Sequence, residues 1–207
     1  MSSHAGSVQA GQIQRHKLVD RLYHWAMAVC ILTLLATSLL PIIGWKFAWL
    51  AIHWVTGLVL TVAVLFHIVR ALFFQKPMSM VVDGQDLQNL GSGGRPGKYN
   101  LAQKLYHLAI AVLILSGIAS GLVMLRKIDT PWWRRDPYWF SDSSWGVIYS
   151  AHDFVAMSLV TMIIIHVYFA LRPDEWHLTR SMFRGWITPK EYKDHFDPKR
   201  WNAEEEA

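Results

Sequence analysis

Six histidines fall inside long apolar runs of this sequence: His24, His53, His67, His107, His152 and His166. His152 and His166 share one run, VIYSAHDFVAMSLVTMIIIHVYFAL (147–171), and lie 14 positions apart. At ~1.5 Å rise and ~100° per residue, a helix separates them by about 21 Å and returns them to within about 40° of one face. His53 and His67 repeat that 14-residue interval on a second run. A single histidine at membrane depth is commonly an interhelical hydrogen-bond partner, but intramembrane ionisable groups also mark functional sites. Six at two matching depths ask for more. Zinc would favour a mixed cluster at one depth with Cys, Asp or Glu. A proton relay would want carboxylates within the runs, where only Asp153 stands, close to an edge. Two neutral imidazoles stacked in depth suit two haem irons, each held between a pair of histidines.

The elements that must position these residues are four apolar runs, at about 22–40, 49–74, 102–125 and 147–171. Each is close to the ~20 residues that cross a bilayer as a helix. They account for a chain of 207 residues that is 53% hydrophobic with a mean hydropathy of +0.21. Trp25, Trp45, Trp49, Trp54, Trp132, Trp133, Trp139 and Trp145 gather at the run ends, as an interfacial belt does. The expected fold is all-α, an integral membrane four-helix bundle forming a single domain over 1–207, with a polar tail over 172–207. The first run, behind a polar lead and without a small-residue cleavage pattern, reads as a span and not a signal peptide. Residues 1–20 read as a loose lead and 75–99, rich in Gly, Ser and Pro, as a loop. Gly117-x-x-x-Gly121 would let a neighbouring helix approach closely.

The lead, the long middle connection and the tail carry fifteen of the 20 Lys and Arg. The opposite connections hold Lys46, Arg126, Lys127, Arg134 and Arg135. The positive-inside rule then places both termini in the cytoplasm. The basic residues flank apolar runs without forming a stripe, so the pI of about 9.4 reflects topology and not nucleic acid. The single cysteine, Cys30, excludes an internal disulfide, an iron–sulfur cluster and covalent Cys-x-x-Cys-His haem attachment.

With this orientation the outer layer holds His53 and His152, one axial pair. The inner layer holds His24, His67, His107 and His166; His166 is one ligand there, and the other is His24 or His67. Gly57, one turn after His53, leaves room for a porphyrin face. Arg21 and Arg70 are candidates for haem propionates inside, Arg126 and Arg135 outside.

These residues resemble a known family: the cytochrome b subunit of membrane-bound formate dehydrogenases, within the bacterial four-helix dihaem cytochromes b that also serve hydrogenases and thiosulfate reductases. The landmarks are Asp20-Arg21-x-x-His24-Trp25, His53-x-x-x-Gly57, Gly97-Lys98-Tyr99-Asn100-x-x-Gln103-Lys104, and the His152/His166 pair. The resemblance implies that His24 and His166 ligate a cytoplasmic-side haem b, and His53 and His152 a periplasmic-side one. It makes His67 a packing or supporting residue. It implies a site for menaquinone or ubiquinone beside the inner haem, where Asn100 and Gln103 match lining positions; helix capping is the competing use of Asn100. His107 departs from the family pattern and would face the same region. The implied role is electron transfer in a bacterial inner membrane, between periplasmic iron–sulfur and catalytic subunits and the quinone, in a complex that can oligomerise further. The aromatic loop from Trp132 to Trp139 would be a docking surface or a membrane-interface belt. The alternatives are a different catalytic partner, or a stand-alone cytochrome reacting with a small oxidant.

Overall fold

The computed structural model describes residues 11–75, 77–92 and 94–203. The chain's first ten residues and the last four of the acidic end lie outside them. Four long helices account for most of the described chain: α1 (Leu18–Leu39), α2 (Trp49–Phe74), α4 (Leu101–Met124) and α5 (Asp142–Leu171). All four are long and apolar enough to cross a membrane. Few of their residues are covered by protein; in the most apolar window of α5 only 6% are buried. Val62, Leu65, Phe154 and Ile164 are among the large side chains left outward. Uncovered apolar faces of this extent belong against lipid.

The helix ends follow local hydrogen bonding and not the apolar boundary. Thus α5 starts five residues before the expected 147, because Ser141 Oγ accepts the Ser144 N–H at 3.3 Å and supports a polar first turn. The lead into α1 is closed by the Lys17 N–H donating to Asp20 Oδ2 at 3.1 Å, and α1 starts at Leu18. Between α1 and α2 the chain turns through Gly44, whose φ of 94° suits a residue without Cβ.

The chain divides into two compact units. The first comprises Trp25–Lys76 and His107–Ile165. Here α4 and α5 approach closely: a Cβ at Gly117 would stand 3.2 Å from Val155 Cγ1, and one at Gly121 would stand 3.3 Å from His152 Cε1. The Gly-x-x-x-Gly spacing thus marks a helix contact.

The second unit comprises Met1–His24, Pro77–Tyr106 and His166–Ala207. Two expectations are corrected here. The segment 75–99 is not only a loop, since it contains α3 (Gly84–Ser92). Asp83 and Asp86 cap the start of α3 reciprocally, at 3.1 and 2.9 Å. The lead is not loose over its described part: β1 (Ile13–Gln14) pairs antiparallel with β2 (Trp186–Ile187), placed between α6 (Trp176–Arg184) and α7 (Pro189–His195). Ile187, Phe196 and Trp201 form a small core beneath them. Arg15 lies over the rings of Phe196 and Trp201, 4.8 and 5.4 Å from their centres, and donates to Lys98 O at 2.8 Å. Burial lowers its pKa to about 10 against the opposing pull of Tyr99 and Glu175. Gly185, at φ 91°, ends α6 and offers its carbonyl to the N–H groups of Arg15 and His16 at 2.8 and 3.0 Å.

Candidate functional site

The six intramembrane histidines meet in three pairs. His53 on α2 faces His152 on α5 with ring centres 6.2 Å apart and planes 70° to one another. His24 on α1 faces His166 on α5 at 6.1 Å and 47°. His67 faces His107 at 6.4 Å, and not His166. Among the described residues, no group of three or more His, Cys, Asp or Glu is arranged to hold a metal ion. The donor chemistry is therefore that of opposed imidazole pairs. Two imidazoles bound to one iron at roughly 2 Å each bring their ring centres about 6 Å apart, so the geometry fits an axially ligated haem.

The outer pair is also held in the tautomer that ligation needs. Thr37 Oγ1 lies 2.8 Å from Thr33 O and 2.9 Å from Leu34 O, carbonyls that only accept, so its single proton is engaged there. His53 Nδ1, 2.8 Å from the same oxygen, must then be the donor, and its Nε2 carries the lone pair. Ser120 repeats the arrangement. Its Oγ lies 2.8 Å from Ser116 O, 3.2 Å from Gly117 O and 2.8 Å from His152 Nδ1. Metal-bound histidines characteristically donate their other N–H in this way. In the inner pair His166 instead stacks on Tyr106, centres 5.4 Å apart and planes at 25°. Gly57 faces open space: a Cβ there would meet only Leu34 Cδ2, at 4.0 Å.

Asn100 and Gln103 form a reciprocal capping box at the start of α4: the Gln103 N–H donates to Asn100 Oδ1 at 2.8 Å and the Asn100 N–H to Gln103 Oε1 at 3.0 Å. Both amide oxygens are so engaged, while the NH2 groups stay outside the capping pair. The two residues line a cavity of about 380 Å³, together with Asp86, His177, His195 and Phe196. His107, expected to face the same region, is not among the lining residues. His177 and His195 stack with ring centres 4.1 Å apart. Burial lowers the pKa of His177, and the charge of His195 lowers it further.

The candidate propionate cations differ. Arg21 donates to Phe183 O beside Gly185, which ties it to the end of α6. Arg70 is half-buried on α2. On the loop after α4, Arg126 lies 5.2 Å over Trp139 and 3.8 Å from Asp136, and Arg135 is exposed.

Beside the cavity lies an ion cluster that sequence reasoning missed. Lys104 Nζ donates to Asp86 Oδ2 at 2.6 Å and to Val81 O at 2.9 Å; Arg200 donates to Asp86 Oδ1 at 2.8 Å and Asp83 Oδ2 at 2.9 Å. Burial pushes the Asp86 carboxyl up, but the bonds from Lys104, the Asp83 backbone region and Arg200 outweigh it and hold the pKa down to about 2. Thr37 and Ser120 were missed as well, since a helical Ser or Thr bonding back to its own turn leaves no mark in a sequence.

The family model described as prokaryotic cytochrome b561 matches residues 15–185. The cytochrome b556(fdo) subunit of formate dehydrogenase from Escherichia coli (strain K12) is 26% identical, over 93% of this chain and 92% of its own. The cytochrome b556 subunit of the Haemophilus influenzae formate dehydrogenase is 25% identical, over 94% and 84%. Facing imidazole pairs on membrane-length helices have a use in b-type cytochromes, and with the match running through all four helices this chain belongs to the prokaryotic cytochrome b561 family, whose members carry haem b.

Proposed function

We propose that this chain is the membrane-anchoring dihaem cytochrome b subunit of a formate dehydrogenase. It carries electrons between a periplasmic iron–sulfur partner, joined to the catalytic subunit, and quinone at a cytoplasmic-side site. The observation that carries the reading is the pair of imidazole clamps at 6.1 and 6.2 Å. The likeness to two formate dehydrogenase cytochrome subunits over nearly the whole chain supplies the choice of partner.

Haem b supplies a one-electron carrier at each clamp when bound. His53 and His152 hold the outer clamp, and His24 and His166 the inner one. The lipid-facing helices keep bulk water from both. His67, turned toward His107, is not needed by either clamp. At the start of α4 the amide NH2 groups of Asn100 and Gln103 donate to a quinone carbonyl from the cavity wall. Tyr106, one turn beyond Gln103, stacks on His166, so that helix start connects the cavity with the inner clamp. The exposed Trp132, Arg134, Arg135 and Tyr138 offer the periplasmic partner a docking face.

The test is a haem count with a reduced-minus-oxidised spectrum on the membrane-purified complex, with its co-purifying subunits identified. Two b-type haems per chain are expected. His53→Ala should remove one, His24→Ala the other, and His67→Ala neither. Loss of the inner haem in His67→Ala with retention in His24→Ala would overturn the inner clamp, and a chain without haem would overturn the reading.

A further inference from the structure

The two clamps differ in what stands behind the rings. Both outer histidines donate Nδ1–H to a hydroxyl at 2.8 Å, and each hydroxyl is itself anchored to a carbonyl one helical turn back, also at 2.8 Å. Thr37 is 3% exposed, so water cannot substitute for its hydroxyl. Behind the inner clamp, His166 meets the face of Tyr106 instead. From these paired bonds we infer that Thr37 and Ser120 are positioning residues that hold the reduction potential of the outer haem low. The inference rests on the dihaem reading above.

An Nδ1–H that donates a hydrogen bond gives its imidazole partial anionic character and makes Nε2 a stronger donor to the metal. A stronger donor stabilises the oxidised, more positively charged iron more than the reduced iron, and so lowers the potential of that one-electron couple. With one such bond behind each histidine, Thr37 and Ser120 would act together on whatever metal the pair holds. Lowering the outer potential in this way would favour passage of an electron toward the inner clamp. The hydroxyls also forbid the other tautomer, since an Nε2–H would point a proton at the iron position and leave Nδ1 facing an oxygen whose only proton is engaged.

Spectroelectrochemical titration of the purified complex tests this in Thr37→Val, Ser120→Ala and the double variant. The expected result is an upward shift of one of the two b-type transitions in each single variant, a larger shift in the double, and no movement of the other transition. The conservative Thr37→Ser and Ser120→Thr should titrate like wild type. Wild-type potentials for both haems in the double variant, with both haems counted, would overturn the inference; so would a downward shift, or equal shifts of both haems. Should Thr37→Val release the outer haem, Ser120→Ala against Ser120→Thr decides by the same criterion. Absence of b-type haem from wild type would instead refute the dihaem reading.

Discussion

Gly121 stands against the ring of His152 with little room to spare: a Cβ would reach to 3.3 Å of Cε1, inside ordinary van der Waals contact. That ring cannot retreat without giving up its bond to Ser120 at 2.8 Å. Gly121→Val therefore forces the ring from its place. We expect that variant to bind about half of the wild-type haem, losing the outer one, in a pyridine haemochrome assay. Gly146→Ala, on the same helix as His152 but with nothing within 4 Å of the added Cβ, should bind the full complement. Equal haem content in both variants would show that the outer histidine is not fixed by this contact.

At the level of elements, α3 and the start of α4 are fastened to the tail by one carboxylate. Asp86 is 3% exposed and Lys104 is 5% exposed, with Arg200 completing the cluster. Asp86→Asn leaves two cations with a neutral partner, a change of about 3 kcal/mol for a buried pair broken on one side. Because the folded pKa is depressed to about 2, the stabilisation is fully present above the ordinary carboxylate range near 4 and is lost as pH falls toward 2. Thermal melts of the purified complex should therefore show a wide gap between wild type and Asp86→Asn at pH 7 that narrows below pH 4. A gap independent of pH would mean the cluster does not act through this ionisation. The cluster also shows why α3 escapes a reading of sequence. Gly84–Ser92 has no long apolar face, and what fixes it is Asp86 meeting residues far along the chain. The two-residue strands are equally silent, because Ile13 and Ile187 find each other only when the tail folds back. The four long helices were legible because membrane length and composition alone define them. Residue type and depth single out the six histidines, but not their pairing. Depth suits His24 and His67 equally, and only the packed helices bring His24, not His67, to His166.

For the molecule as a whole, the proposed orientation would decide where protons are taken up and where partners dock, and it rests on charge. Fifteen of 20 Lys and Arg lie on the face shared by the lead, the middle connection and the tail. The helix count agrees, since four crossings would bring both described ends to one side. On the proposed reading the positive-inside rule makes that side the cytoplasm. It is also where a capping box, a cavity and a stacked histidine pair collect, in the unit that includes Pro77–Tyr106 and His166–Ala207. A carbonyl acceptor reduced there would draw its protons from the cytoplasm while electrons arrive from the far side, so the transfer would charge the membrane. Two labelling experiments check this in intact cells. A cysteine placed by Ser143→Cys, at the exposed start of α5, should react with a membrane-impermeant maleimide added outside, and one placed by Lys199→Cys should react only after lysis, both in a Cys30→Ser background. The reverse pattern would invert the topology and move the cavity to the periplasmic face. The docking loop would then face the cytoplasm, and electrons entering there would cross toward protons taken from the periplasm, so the charge separation would reverse its sign.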